Sequence, residues 1–180
     1  MKMDKNLPVR KRIRLKDYDY SSAGYYYVTI CTKGKRKLFG RVVGTTALGR
    51  PLVELMLLGK CIDETIQIAN KGNVRIDKYV VMPNHIHIIV VLKSETDELC
   101  AFAMRKWASP SLPSANRQRR SSLQQVVKNI KSYVTKQAGM QLWQERFYDH
   151  VIRDEAEYFE IWRYIDENPA KWAEDDYYIR

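Results

Sequence analysis

The segment VVMPNHIHIIVVL (80–92) decides the fold, because it joins two strand-like runs through a short break. The first run extends over residues 74–82 and ends at Pro83-Asn84, while the second covers residues 85–92. Proline cannot donate a hydrogen bond to a sheet ladder, and an adjacent asparagine favours a turn. Two strands separated by so short a break are expected to pair as an antiparallel hairpin.

The segments on either side of this hairpin alternate between strand and helix patterns. Residues 25–31 are rich in aromatic and β-branched side chains and are predicted to form a strand. A first helix is predicted over residues 51–69. Two further helices are predicted to begin after the capping residues Ser122 and Asp154, and a short extended segment at 142–152 lies between them. Interleaved helices and at least one antiparallel strand pair predict an α+β sandwich with helices over a sheet.

Composition indicates an ordinary globular chain with an uneven charge. The 180 residues are expected to form one domain over 1–180, with a basic arm at 1–17 and a flexible basic loop at 93–120. Residues 1–150 carry 27 basic and 12 acidic side chains, whereas residues 151–180 carry 4 and 9. Such a basic body favours a polyanionic partner. With neither a membrane span nor a secretory signal in the sequence, we expect a cytoplasmic protein with no membrane partner.

The triplet His85-Ile86-His87 contains two of the three histidines in the chain. Alternate side chains of a strand share a face, so both imidazoles are expected to project together while Ile86 points the other way. Two imidazoles on a rigid strand are suitable metal ligands, although a pair of solvent-facing histidines has the same pattern. A catalytic metal usually takes a third protein ligand and keeps one position open.

Two tyrosine–amide pairs are candidates to complete such a site. Tyr164 and Asn168 are four residues apart on the last helix and therefore share a face. The carbonyl oxygen of Asn168 is an acceptable hard ligand, and the Tyr164 hydroxyl can attack a phosphodiester. Tyr133 and Gln137 have the same spacing on the preceding helix. Spacing alone does not choose between the two pairs.

Three stretches of sequence resemble a known family. VVMPNHIHIIVVL (80–92) resembles the HUH motif of the single-tyrosine transposases, in which two histidines flank a hydrophobic residue. LWQERFYDHVIRDEAEYFEIWRYIDENPAKW (142–172) resembles the REP-associated tyrosine transposases, with their Trp-Gln element, aromatic-x-His-x-Ile-Arg segment and Tyr-Ile-x-x-Asn-Pro signature. YDYSSAGYYYVTICT (18–32) is characteristic of a subgroup of these proteins. The resemblance extends in separated blocks from about residue 10 to 172.

This resemblance implies a ferredoxin-like α+β sandwich with a central antiparallel sheet and helices packed on it, which is the HUH nuclease fold. It assigns the nucleophile to Tyr164 and the metal ligands to His85, His87 and Asn168. Related insertion-sequence transposases carry Gln in place of Asn168. The implied activity is metal-dependent cleavage and rejoining of single-stranded DNA near hairpins through a 5′-phosphotyrosine intermediate, with Mg²⁺ or Mn²⁺ as the cofactor.

The implied partner is single-stranded or hairpin DNA, bound by a monomer or homodimer associated with the nucleoid. Basic residues would track phosphates and Trp107 would stack on unpaired bases. The basic residues expected to contact DNA are Arg10, Lys11, Arg12, Arg14, Lys35, Arg36, Arg117, Arg119, Arg120, Lys128 and Lys131, with His150, Arg146 and Arg153 as accessory candidates. Two alternatives stay open: a non-catalytic protein that binds DNA hairpins, and a metal-dependent phosphodiesterase that uses water instead of Tyr164.

Overall fold

A computed structural model describes residues 18–45, 51–94 and 121–179. The strands and α-helices of these segments are β1 (Gly24–Cys31), β2 (Gly40–Thr45), β3 (Pro51–Leu55), α1 (Leu57–Ile68), β4 (Val74–Val81), β5 (His85–Leu92), α2 (Leu123–Ala138), β6 (Tyr148–Ile152) and α3 (Glu155–Glu167). Short 3-10 turns lie at Lys33–Lys35 and Trp172–Glu174. The predicted basic arm, and all but the first two residues of the predicted loop at 93–120, lie outside the described residues.

The central sheet has the strand order β4-β5-β1-β6, and each neighbouring pair is antiparallel. The hairpin predicted from residues 80–92 is confirmed as the β4–β5 pair, with a register shift between Ile76 and Lys78. A β1-α1-β4-β5-α2-β6 succession with this strand order is a ferredoxin-like arrangement. The predicted α+β class with a central antiparallel sheet is therefore confirmed.

The two faces of the sheet are covered by different helices. Ile86, Ile88 and Val90 of β5 face a large core that also contains the buried side chains of α1 and α2. On the other face, Ile89 packs with Ile165 of α3 in a smaller core. Strand alternation therefore places His85 and His87 between the sheet and α3. In the segments that the structure describes, no helix has the length and apolarity needed to cross a membrane.

The helix predicted over residues 51–69 is wrong in its first part. Pro51–Leu55 forms β3, which pairs with β2, and the helix begins only at Leu57. Leucine and valine positions fit either structure, so the pairing with the preceding strand β2 outweighs the helical periodicity. Gly59 fits this arrangement, because a Cβ there would lie 2.0 Å from the carbonyl oxygen of Phe39. The glycine thus lets α1 approach the residue that precedes β2.

The ends of α2 and α3 follow the sequence signals. The Ser122 side chain accepts a hydrogen bond from the backbone N–H of Gln125, and the Asp154 side chain accepts one from Glu157. The Glu157 carboxylate in turn accepts the backbone N–H of Arg153, which fixes the start of α3. The helix reaches Asn168, directly before Pro169, as predicted. Local capping therefore fixes where α2 and α3 begin.

Candidate active site

The two histidines of β5 lie side by side under α3. Their Nε2 atoms are 2.9 Å apart, and both side chains have 0% exposure. Ile86, between them, points into the core on the opposite face, as the strand alternation predicts. The simpler interpretation of the triplet, that both histidines face solvent, is therefore wrong for this chain.

The orientation of the His85 ring is fixed by Asn84. The amide nitrogen of Asn84 donates to the carbonyls of Lys35 and Tyr177, so its Oδ1 faces Nδ1 of His85 at 2.9 Å. Because an amide oxygen only accepts, His85 must carry its proton on Nδ1. Its Nε2 therefore presents a lone pair to the space shared with His87.

The His87 ring faces two hydroxyl groups. Its Nδ1 lies 2.7 Å from the hydroxyl of Tyr27 and 2.9 Å from that of Thr29, the residue directly opposite it on β1. The rings of Tyr27 and His87 are stacked, with centroids 5.5 Å apart. His87 is thus held by polar contacts at both ring nitrogens.

Burial keeps both imidazoles neutral at neutral pH. Loss of solvation, with a further contribution from Lys35, lowers the pKa of His85 to about 3. Loss of solvation and the neighbouring His85 lower the pKa of His87 well below its ordinary value, against the opposing effect of Asp175. A neutral imidazole is the form that coordinates metal ions.

Helix α3 brings both Tyr164 and Asn168 to the histidines. The Tyr164 hydroxyl lies 3.4 Å from Nε2 of His87, while the side chain remains 43% exposed. Asn168 is buried, and its Oδ1 has no hydrogen-bond partner among the described residues. Leaving such an acceptor unsatisfied costs roughly 1–3 kcal/mol, so a ligand for this oxygen is expected. Burial, followed by the charge of Asp175, raises the pKa of Tyr164.

Asp175 is the site residue that sequence reasoning missed. Its side chain is 1% exposed, and its Oδ2 lies 3.8 Å from Nε2 of His85. The same oxygen accepts hydrogen bonds from Asn168, at 2.8 Å, and from Tyr164, at 3.4 Å. Atoms of His85, His87 and Asp175 that could bind a metal ion all lie within 4.8 Å of one another. The acidic excess of residues 151–180 was the one signal in the sequence, and it does not single out this position.

Residues 172–178, here called the C-terminal cover, lie over the histidines. The rings of Trp172 and Tyr177 pack on His85, with centroid distances of 5.9 and 4.7 Å. Lys35 anchors the cover by donating to the carbonyl of Asp176 at 2.7 Å. These contacts help to bury the histidine pair in the described structure.

The competing pair, Tyr133 and Gln137, lies on the other side of the sheet. Both belong to α2, whose buried side chains pack on the core opposite the histidines. Tyr133 is exposed. The structure therefore brings Tyr164 and Asn168 together with His85 and His87, and it separates Tyr133 and Gln137 from them.

The accessory candidates lie elsewhere on β6 and its flanks. Nε2 of His150 is 2.6 Å from the Glu157 carboxylate, which links β6 to the first turn of α3. Arg146 and Arg153 are exposed. His150 thus contacts the helix that carries Tyr164 rather than the histidine pair.

The described basic candidates differ in how free their side chains are. Lys35 and Arg36 donate to backbone carbonyls, and the ammonium group of Lys131 donates to the carbonyls of Gln144 and Glu145. Lys128 is exposed. Trp107 and the remaining basic candidates lie outside the described residues. These basic candidates are Arg10, Lys11, Arg12, Arg14, Arg117, Arg119 and Arg120.

The chain has a relative of nearly the same length. An uncharacterized protein of Haemophilus influenzae is 33% identical over 177 residues, which cover 94% of this chain and 93% of that protein. The chain belongs to the family of this protein. No family model matches the chain.

A solved structure shares the fold. A REP-associated tyrosine transposase bound to a REP hairpin superimposes with a TM-score of 0.56 and 20% identity, over 88% of this chain and 73% of that one. This likeness establishes a common fold for the two proteins.

Proposed function

We propose that this chain is a metal-dependent, single-tyrosine transposase that cleaves and rejoins single-stranded DNA near hairpins. The observation that carries the proposal is the 3.4 Å approach of the Tyr164 hydroxyl to Nε2 of His87. A tyrosine hydroxyl next to two neutral imidazoles supports a role as nucleophile, and a partly exposed tyrosine is accessible to a large substrate. The shared fold with a REP-associated tyrosine transposase supports the same function.

The residues around the histidines fit a divalent cation. His85 offers a bare Nε2, and His87 lies beside it. Oδ1 of Asn168 is a buried acceptor with no hydrogen-bond partner in the described part of the chain. The Asp175 carboxylate adds a negative charge beside these atoms, an addition to the set taken from the family resemblance. Mixed nitrogen and oxygen ligands suit Mn²⁺, and Mg²⁺ is also compatible when substrate phosphate supplies oxygens. When bound, the ion would polarise the scissile phosphate and offset the charge that develops on it.

Tyr164 would attack the phosphorus atom of the scissile phosphodiester. A bond forms between the tyrosine oxygen and phosphorus, the bond from phosphorus to the 3′ oxygen breaks, and the departing oxygen takes up a proton to become a 3′-hydroxyl. The DNA is left joined to Tyr164 through its 5′ phosphate. Attack by another 3′-hydroxyl reverses these bond changes and joins strands without ATP.

The proton of Tyr164 must leave for this attack. Since burial and Asp175 raise the pKa of the hydroxyl, it is almost entirely protonated at neutral pH. Oδ2 of Asp175 is already a hydrogen-bond acceptor for this group. We infer that Asp175 receives the tyrosine proton as the phosphate approaches.

Hairpin DNA is the substrate class that we infer for the site. The excess of basic side chains in residues 1–150 favours a polyanion, and the structural neighbour is bound to a REP hairpin. Exposed Lys128 is available for phosphate contacts. We propose a protein acting as a monomer or homodimer, with the basic arm and the 93–120 loop adding to the DNA surface.

The test is formation of a covalent adduct with labelled single-stranded hairpin DNA. Hairpins from repeats that flank the gene are incubated with the protein in Mn²⁺, in Mg²⁺ and in chelator, and the products are separated on a denaturing gel. The wild type is expected to give a metal-dependent protein–DNA adduct that Tyr164→Phe abolishes. Tyr133→Phe is the matched control, because it removes the equivalent hydroxyl on the opposite face of the sheet and should leave the adduct intact.

The same gel distinguishes the alternatives. Metal-dependent cleavage without an adduct would contradict the tyrosine mechanism and favour a phosphodiesterase that uses water. Tight binding of a hairpin with no cleavage in either metal would favour a non-catalytic hairpin-binding protein.

A further inference from the structure

The second ring nitrogen of each histidine has a different kind of partner. Nδ1 of His85 faces an amide oxygen, which only accepts hydrogen bonds. Nδ1 of His87 faces the hydroxyls of Tyr27 and Thr29, each of which can either donate or accept. The two histidines are therefore not equivalent, although they are two residues apart on one strand.

We propose that Asn84 fixes His85 in one tautomer, while Tyr27 and Thr29 allow His87 to exist in either tautomer, so that the site is stable both with and without its metal ion. This inference rests on the metal-binding part of the proposed function. It makes Tyr27, Thr29 and Asn84 positioning residues, because they act through the histidines.

The metal-free tautomer of His87 follows from the distance between the two rings. Nε2 of His85 carries a lone pair, and Nε2 of His87 lies 2.9 Å away. Two lone pairs at that distance would repel, whereas a proton on Nε2 of His87 makes a hydrogen bond of ordinary length. Nδ1 of His87 is then bare and accepts a hydrogen bond from the hydroxyl of Tyr27 or Thr29.

Binding of a metal ion by His87 would require the opposite arrangement. Nε2 of His87 must then be bare to coordinate, so its ring proton must be on Nδ1. A hydroxyl turns from donor to acceptor by rotating about its C–O bond, and either Tyr27 or Thr29 can accept this proton. One proton leaves Nε2 for water and one reaches Nδ1 from water, so the charge of the ring does not change.

The geometry makes both hydroxyls part of this arrangement. Thr29 is directly opposite His87 on β1 and is 1% exposed, so in the described structure its hydroxyl is directed at the ring and not at solvent. Tyr27 stacks on His87 while its hydroxyl reaches Nδ1 at 2.7 Å. Because either group alone can serve, removing one should have a smaller effect than removing both.

The tautomers can be observed directly by ¹⁵N NMR of the full-length protein labelled at histidine. The chain has three histidines, and His150→Gln identifies the third signal. Without metal we expect the proton on Nδ1 of His85 and on Nε2 of His87. On addition of Zn²⁺, a diamagnetic ion of the same charge that favours imidazole, we expect His87 to move its proton to Nδ1 while His85 does not change.

Calorimetric titration with Mn²⁺ measures the contribution of the hydroxyls. Residues that orient metal ligands typically contribute about 10- to 100-fold to affinity, and we expect a loss of that size for the double variant Tyr27→Phe/Thr29→Val. Each single variant should lose less. Tyr148→Phe, whose ring packs on Tyr27, and Thr65→Val, a buried threonine on α1, are matched controls that should bind as the wild type does.

Three results would overturn the inference while the proposed function survives: wild-type affinity in the double variant, a proton on Nδ1 of His87 in the metal-free protein, or a proton retained on Nε2 after Zn²⁺ binds. Failure of the wild type to bind either ion would instead contradict the metal dependence of the proposed function, and the inference would fall with it.

Discussion

Lowering the pH from 7 to 5 should destabilise the fold through the buried histidine pair. The pKa of His85 is lowered to about 3 in the folded chain, against an unfolded value near 6.5. Below pH 6.5 the unfolded chain binds a proton that the folded chain does not. The contribution of His85 to the free energy of unfolding is therefore fully present above that pH and is lost as the pH decreases. At about 1.4 kcal/mol per pH unit, His85 alone should remove roughly 2 kcal/mol between pH 7 and pH 5. His87 adds a loss of the same sign.

Urea unfolding followed by tryptophan fluorescence at several values between pH 7 and pH 5, in chelator, measures this loss. The readout is the change in unfolding free energy with pH rather than its absolute value, because any substitution here also perturbs packing. The double variant His85→Asn/His87→Asn should lose most of the pH dependence, whereas His150→Asn, at the half-exposed third histidine, should keep most of it. An unchanged pH dependence in the double variant would refute the assignment of the effect to the buried pair.

Three further predictions concern packing, metal binding and access. Gly59→Ala should lower the free energy of unfolding in urea by about 1–3 kcal/mol or more, because its Cβ would lie 2.0 Å from a backbone oxygen. Gly44→Ala is the control: its Cβ would meet no atom within 4 Å, so it should cause little loss of stability from clashes. Mn²⁺ at a hundred times its Kd should stabilise the wild type by about 2.7 kcal/mol and should not stabilise His87→Ala in thermal unfolding. Deleting residues 172–180 should expose the buried histidines to diethylpyrocarbonate; continued protection in a folded truncated protein would contradict the role of the cover.

The sheet and its hairpin were predictable because their signals are local. Pro83-Asn84 separates two β-branched runs, and the alternation of His85, Ile86 and His87 sets which side chains share a face. The caps at Ser122 and Asp154 are likewise local, since each involves residues three positions apart. Such signals depend on short-range hydrogen bonds and strand alternation, which do not require knowledge of distant contacts.

The β2–β3 hairpin and the position of Asp175 were not predictable from the sequence, for two different reasons. Residues 51–55 have an apolar spacing that fits either a helix or a strand, and only pairing with residues 40–45 decides between them. Asp175 joins the site because the chain turns back after α3 and places the C-terminal cover over β5. Neither contact leaves a periodic pattern in the sequence.

The choice between Tyr164 and Tyr133 shows where spacing alone fails. Both tyrosines are followed by an amide side chain four residues later on an amphipathic helix. The difference lies in which face of the sheet each helix covers, and the spacing within either helix does not determine this. The packing of α3 on the histidine face therefore brings Tyr164, and not Tyr133, to the histidines.

The most direct test of the central claim is mass spectrometry of the covalent adduct after digestion with nuclease and trypsin. Trypsin cleaves after Arg163 and after Lys171, so Tyr164 is the one tyrosine of the peptide YIDENPAK (164–171). We predict that this peptide carries the mass of a nucleotide joined through a 5′ phosphate, and only when Mn²⁺ or Mg²⁺ was present. A nucleotide on a peptide containing another tyrosine, or cleaved DNA with no modified peptide, would contradict the assignment of Tyr164 as the nucleophile.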